Sequence, residues 1–375
     1  MDRIEWRLAD GGDPAALVED FLAGYGLAVR DLTGRGRHRS ADRICGAALM
    51  ISAAGAAQLV TAAGAAQPAG PAGPVSPAPA VPDVVAVVYV HAPELSAVDG
   101  PEAAVDWSLG RWRPSWSPQS HADAVAAVRE AIARGDVYQV NVVGHASAAY
   151  HGDPMPALRR VAALPGARYG GVLRGQGWAV ACASPETLVE VVDGRVVTRP
   201  IKGTRPATRA GRAQLLSSAK ERAEHVMIVD LERNDLAMIA VTGSVRVDEL
   251  YAVRRWCGLW QAESVVSAQV APGVGLAALL RAVCPGGSVT GAPKLAALEL
   301  IAAVEPVGRG PSMGVLGWVG SDRIDLGLSI RTVGADAERL HLWAGGGVTW
   351  GSEPAAEVSE AAAKAAPLRA ALAGR

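Results

Sequence analysis

Apolar and polar positions follow two rhythms along this chain. The run VVAVVYV at Val84–Val90 is apolar throughout, the pattern of a strand buried on both faces. GDVYQVNVV alternates instead, which predicts a strand with Gln139 and Asn141 on one face and Val140 and Val142 on the other. The polar face is read as solvent-facing. Ahead of it, Ser120 as N-cap, Asp123 in the first turn, Val125, Val128 and Ile132 at helical spacing and Gly135 as a stop predict a helix. Strands are expected at Trp178–Ala183, Thr187–Val192 and Arg195–Arg199, the last two joined by the hairpin dipeptide Asp193-Gly194. Beyond them, Gly203, Pro206 and Gly211 punctuate a loop that holds Lys202, and a helical run carrying Glu221 and Glu224 follows. Further elements are a helix over Pro293–Val304, an apolar strand LSIRTV containing Arg331, and a strand Leu340–Ala344 that runs into Gly345-Gly346-Gly347. A final helix is capped by Ser352, with Pro354 in its first turn.

Composition narrows the classes of function. A length of 375 residues suggests one large domain or two interleaved subdomains, and half of the residues are hydrophobic. The net charge of −1, from 36 basic and 37 acidic residues, gives no electrostatic basis for binding nucleic acid or an anionic membrane, so the expected partner is small. Cys45, Cys182, Cys257 and Cys284 lack metal-like spacing. The opening MDRIEWRLADGGD does not read as a signal peptide and no apolar run reaches membrane-spanning length, which points to the cytoplasm. The Ala/Pro-rich stretch from Ala53 to Pro82 is expected to include a mobile loop. Trp107, Trp112 and Trp116 could stack on bases or sugars, but without basic clusters around them they are expected to pack a subdomain edge.

The chemistry gathers after residue 180. Glu186 precedes the first hairpin strand and Lys202 follows the second, so the two lie at the same end of the hairpin, a carboxyl facing an amine. A permanent ion pair is the alternative. Glu221 and Glu224 stand three apart on one helix and Glu357 and Glu360 three apart on another, with Lys364 four beyond Glu360. Each pair alone fits a solvated face; together they could converge on Mg²⁺, which prefers carboxylate oxygens. PGGSVTGAPK at Pro285–Lys294 fails as a phosphate loop, because Ala292 stands where the lysine is required. Its turn, opening a helix, still favours an anion such as a carboxylate. Arg331 in an apolar strand calls for a carboxylate partner, from the protein or a ligand.

Taken together, RGDVYQVN, SPETLVE, RPIKGTRP, KERAEHVMIVDLERNDL, PGGSVTGAPKLAALELI, DLGLSIRT, AGGGV and the Glu357/Glu360/Lys364 spacing resemble the chorismate-utilising family of anthranilate, aminodeoxychorismate, isochorismate and salicylate synthases. The resemblance covers Gln139 to Lys364. It implies an α+β fold of the anthranilate synthase component I type, with antiparallel sheets packed inside outer helices. Residues 1–115 would form an N-terminal region of that fold and 116–375 the chorismate-binding part. It further implies that Glu221, Glu224, Glu357 and Glu360 hold Mg²⁺, that Thr290, Arg331, Gly346, Gly347 and Lys364 surround the substrate carboxylates, and that Glu186 is the general acid.

Two positions point to a branch. Lys202 in PIKGT is similar to component I of aminodeoxychorismate synthases, where anthranilate synthases have alanine, and Gln139 replaces the water-activating lysine of isochorismate and salicylate synthases. The implied reaction takes chorismate and ammonia to 4-amino-4-deoxychorismate for 4-aminobenzoate and folate, through a covalent lysine intermediate. Ammonia would come from a separate glutamine amidotransferase subunit. For this role Lys202 must carry a lowered pKa, through burial or nearby Arg205, and Glu186 must be protonated in the productive complex. Gln261 in place of a histidine, Ser312 in place of an aromatic residue and Gly351 in place of an aspartate depart from the family pattern. The alternatives are an anthranilate synthase-like activity or a silent chorismate-binding subunit. No N-terminal motif carries over the tryptophan binding known in some relatives.

Overall fold

The computed structural model describes residues 2–34, 44–62, 73–91, 107–256 and 259–374. Among them, two antiparallel sheets form the centre of the molecule. In the ten-stranded sheet the order is Arg3–Trp6, Val84–Val90, Ile44–Ile51, Val315–Gly320, Arg323–Leu328, Thr187–Val192, Arg195–Arg199, Leu259–Gln269 and Ile201–Pro206, and Arg246–Trp256 also pairs with Leu259–Gln269. The eight-stranded sheet runs Gly291–Ala292, Gln139–His151, Arg339–Val348, Thr332–Ala335, Trp178–Ser184 and Tyr169–Gly175, with two short strands, Ser108–Leu109 and Arg113–Pro114, also on Gln139–His151.

Alternation on Trp178–Ser184 shows how the layers are built. Val180 and Cys182 join a core that includes Leu188, Val189, Leu326 and Leu328 of the larger sheet. Ala179, Ala181 and Ala183 face the opposite way, onto Leu158 and Val161 of the helix Met155–Ala162 and Leu368 and Leu372 of the helix Pro354–Leu372. One strand therefore serves the space between the sheets on one face and an outer helix layer on the other, which is the expected α+β arrangement. Val84–Val90 is a strand buried over most of its length, and the hairpin 187–199 forms with Asp193 and Gly194 both at positive φ, as its two-residue turn requires.

Several boundaries differ from expectation. Ser117, not Ser120, caps the helix Pro118–Arg134: its hydroxyl accepts from the Ser120 N–H at 3.0 Å, and Pro118, which has no N–H to satisfy, takes the first helical position. The last helix begins at Pro354 with Glu353 as N-cap, because the Ser352 hydroxyl is already engaged with the Thr349 N–H. Ala53–Ala62 is a helix rather than the start of a loop; alanine is the strongest helix former, and the Ser52 hydroxyl accepts from the Gly55 N–H. Further along that stretch Ala78 and Val81 are buried, and residues 63–72, like Cys257, lie outside the described set. Trp107 and Trp112 pack against the outer helix layer, and Trp116 stacks on His121, so the tryptophan array is a packing edge. Among the described residues, no helix is long and apolar enough to cross a membrane.

Candidate active site

Lys202 sits on a strand, not in a loop. Ile201–Pro206 pairs with Leu259–Gln269, Lys202 opposite Ala262, and a bulge at Gly203 interrupts the ladder. Gly203 has φ +72, and a Cβ there would lie 2.9 Å from the Glu221 carboxylate, so the glycine both permits the bulge and leaves room for that side chain. The strand delivers Lys202 to a cavity of about 600 Å³ lined also by Glu186, Glu221, Glu224, Ser288, Arg331, Glu357, Glu360 and Lys364.

Glu186 follows Trp178–Ser184 and is almost fully buried. Its Oε1 accepts from the Ser288 hydroxyl at 2.8 Å and from the Ile201 N–H at 3.3 Å. Lys202 Nζ donates to the Ser288 carbonyl oxygen at 3.3 Å. Ser288 thus holds the acid with its side chain and the amine with its backbone, in place of a direct ion pair between them. Burial raises the pKa of Glu186 above the ordinary carboxyl value, with the Lys202 charge opposing. Burial lowers the pKa of Lys202, with Glu186 and then Glu224 opposing. Both directions move the pair towards a neutral acid beside a neutral amine. Arg205 does not contribute as expected, since it forms an ion pair with Glu221 at 3.1 Å.

The two carboxylate pairs reach the cavity from different helices, Ala219–Ala237 and Pro354–Leu372. Glu224 accepts from the Thr349 hydroxyl at 2.9 Å, and Glu360 is paired with Lys364 at 2.6 Å. Among the described residues no three acidic, histidine or cysteine side chains close on a single point to form a metal cage. The donor set is nevertheless all oxygen and lines one cavity, which fits a hard cation such as Mg²⁺ in its chemistry.

Gly345, Gly346 and Gly347 lie within the strand Arg339–Val348 and pair with Val143, Val142 and Asn141. A Cβ on Gly346 would stand 3.0 Å from Glu357 and 3.6 Å from Lys364 Nζ, and Lys364 donates to the Gly345 carbonyl at 3.0 Å. Arg331 lines the cavity from a turn between Arg323–Leu328 and Thr332–Ala335, at φ +56, rather than from inside a strand. Thr290 is buried behind Ser288, its hydroxyl donating to the Gly286 carbonyl, and is not among the described lining residues. Of the departures from the family pattern, Gln261 lines the cavity, Ser312 is buried and Gly351 is exposed in the turn before the last helix.

Three residues of the site, Ser288, Asn141 and His225, carry no site role that the sequence alone predicts. Ser288 and Asn141 were inside recognised motifs, and Asn141 Nδ2 donates to the same Ser288 carbonyl at 3.3 Å. Gln139 and Asn141 are buried, contrary to the solvent-facing assignment, because the Ser288–Ala292 segment and the Lys202 strand cover that face. His225, a turn beyond Glu221, is buried with Nε2 at 2.6 Å from Ser264 Oγ, and burial, reinforced by the Lys202 charge, lowers its pKa to about 4.

The pattern described as chorismate binding enzyme matches residues 86–370. The chain belongs to this chorismate-binding family. Within it, the chain is 37% identical over 273 residues to aminodeoxychorismate synthase component 1 of Klebsiella aerogenes, covering 71% of this chain and 60% of that protein. It is 40% identical over 251 residues to anthranilate synthase component 1 1 of Haloarcula marismortui, covering 64% of this chain and 51% of that protein. The alignments thus span between half and three-fifths of the length of these relatives. The fold matches the crystal structure of anthranilate synthase component I from Streptococcus pneumoniae TIGR4 with a TM-score of 0.78 at 25% identity, over 98% of this chain and 89% of that one.

Proposed function

We propose that this member of the family is component I of an aminodeoxychorismate synthase, an Mg²⁺-dependent cytoplasmic enzyme that converts chorismate and ammonia to 4-amino-4-deoxychorismate for 4-aminobenzoate and folate. The observation that carries this reading is Lys202, whose amine lies in the cavity with its pKa lowered by burial and is held by the carbonyl of the residue whose hydroxyl holds Glu186. A relative named as component 1 of such a synthase supports it. The words component 1 in that name support a second component, which in this reading is a glutamine amidotransferase that supplies the ammonia.

In this reading the Lys202 amine forms a bond to carbon 2 of chorismate as the ring double bonds shift and the carbon 4–oxygen bond breaks. Glu186 gives its proton to the departing hydroxyl, which leaves as water, and the alkylated amine returns a proton to the carboxylate. Ammonia then bonds to carbon 4, the double bonds shift back and the Lys202–carbon 2 bond breaks, with a proton passing from the new amine to the lysine. Because the nitrogen arrives where the hydroxyl left, the product is the 4-amino isomer. Arg331 and Lys364, with the backbone at Gly346 and Gly347, hold the substrate carboxylates, and Thr290 fixes the turn behind Ser288 through its bond to the Gly286 carbonyl. Glu221, Glu224, Glu357 and Glu360 would hold Mg²⁺, whose charge neutralises the ring carboxylate.

The test is a mass-spectrometric product assay with chorismate, Mg²⁺ and saturating ammonium, followed by a 4-aminobenzoate-forming lyase. Wild type is expected to give a product that the lyase converts, Lys202→Ala to lose it, and Glu186→Gln to turn over about 10²–10⁴-fold more slowly. Anthranilate as the product, or full activity in Lys202→Ala, would overturn the reading.

A further inference from the structure

Arg309 and Glu305 form a buried ion pair, 7% and 4% exposed. The guanidinium forks onto the Glu305 carboxylate, Nε at 2.8 Å and Nη2 at 2.6 Å. It also donates to two backbone carbonyls, Val289 through Nη1 and Asn141 through Nη2, both at 2.7 Å. Glu305 Oε1 accepts in turn from the Val143 N–H at 2.8 Å. These contacts continue a ladder that has run out of strand. Gly291–Ala292 pairs with Val140 and Gln139, and the Thr290 carbonyl takes the Asn141 N–H; further along the same edge the Ser115 N–H donates to the His145 carbonyl. In the gap between, the two side chains satisfy the Asn141 carbonyl and the Val143 N–H in place of a partner strand.

Desolvation offsets most of the attraction within a buried ion pair, so the geometry that this pair imposes tells more than its contribution to stability. Val289 is the neighbour of Ser288, whose carbonyl accepts from Lys202 and whose hydroxyl donates to Glu186. The turn Gly287–Val289 holds itself poorly. Its own backbone bonds, from the Val289 N–H to Gly286 and from the Thr290 N–H to Gly287, are both 3.3 Å long, against a usual value of about 2.9–3.0 Å. The 2.7 Å bond from Arg309 to the Val289 carbonyl is a firmer anchor. We infer that Arg309, locked by Glu305, is a positioning residue that clamps the Ser288 turn to the strand Gln139–His151 and so sets how Ser288 holds Glu186 and Lys202. This role rests on those given to Glu186 and Lys202 above, but not on which ring carbon is aminated. Lysine could not fill it, because one ammonium cannot span two carbonyls and both oxygens of a carboxylate.

Steady-state kinetics of the full chain with chorismate, Mg²⁺ and saturating ammonium, repeated across pH, test it. Arg309→Lys keeps the charge and loses the fork; kcat is expected to fall about tenfold or more, while chorismate KM stays within about threefold. With the turn loosened, the Ser288 hydroxyl no longer favours the Glu186 carboxylate. The alkaline limb of the kcat–pH profile, where Glu186 loses its proton, is then expected to move to higher pH. In Ser288→Ala that bond is already gone, so adding Arg309→Lys is expected to move the limb no further. Glu305→Gln keeps the shape and weakens the lock, and a smaller shift of the same sign is expected. A folded Arg309→Lys variant with an unmoved limb, or a shift that adds in full to that of Ser288→Ala, would overturn the clamp while leaving the amination reading intact. Loss of the fold in both single variants would overturn it too, in favour of a purely structural pair. The expected shifts with anthranilate as the product would support the clamp and overturn the 4-amino assignment. No amination by wild type would overturn both.

Discussion

Ser288 presents its carbonyl oxygen to Lys202 and its hydroxyl to Glu186, and the second contact decides where a proton can sit. Glu186 Oε1 already accepts two hydrogen bonds, so in the protonated acid the hydrogen belongs on Oε2. The proposed reaction requires Lys202 unprotonated and Glu186 protonated. Its rate should therefore rise with pH through the lowered lysine pKa and fall as pH passes the raised glutamate pKa. The Ser288 hydroxyl favours the carboxylate form, so Ser288→Ala is expected to raise the Glu186 pKa further. In a kcat–pH profile at saturating ammonia the alkaline limb should move to higher pH, while the backbone contact to Lys202 survives. A profile that loses height without moving would show that the hydroxyl serves packing only.

At the scale of elements, the three glycines of Arg339–Val348 each answer a different demand. A Cβ on Gly345 would meet the Val142 carbonyl at 2.0 Å, so this position keeps the strand pair closed; Gly346 leaves clearance for Glu357, and Gly347 for Gln139 and Lys202. Gly347→Ala meets only the far ends of side chains, so the fold should survive at a loss of about 1–3 kcal/mol in urea unfolding. Turnover should drop about 100-fold as Lys202 is displaced. Equal turnover would mean that the lysine has room elsewhere. The strand was expected to end before this run, because glycine weakens a strand by propensity, and only its neighbour Gln139–His151 holds it in the ladder. Local signals served best where a short turn connects the parts: the Asp193-Gly194 hairpin brought Glu186 and Lys202 to one end as read. They failed at Gln139, where alternation distinguishes two faces but not which of them distant segments will cover. They failed likewise at Ser120, since either serine could cap and Pro118 decided.

Across the whole molecule, buried histidines tie stability to pH. His145 accepts or donates at 2.5 Å to Ser115 and at 3.1 Å to His341, which reaches Asp336, and burial lowers the His145 pKa to about 3. At pH 5 the folded protein leaves this ring neutral while the unfolded chain, with an ordinary value near 6.5, protonates it. The native state therefore loses about 2 kcal/mol relative to pH 8 from this ring alone. His145→Gln is expected to remove that part of the dependence: the difference in urea stability between mutant and wild type should shift by about 2 kcal/mol in the mutant's favour between pH 8 and pH 5. No shift would place the ring's charge in contact with solvent.

The ten-stranded sheet also sets an order of events in time. Ile44–Ile51 is bonded on one side to Val84–Val90 and on the other to Val315–Gly320, with Ile51 opposite Val315. During synthesis Ile44–Ile51 must wait, with one apolar edge unpaired, until the strand Val315–Gly320 has left the ribosome. The cavity, walled by residues from Asn141 to Pro367, likewise closes only late in that sequence of events.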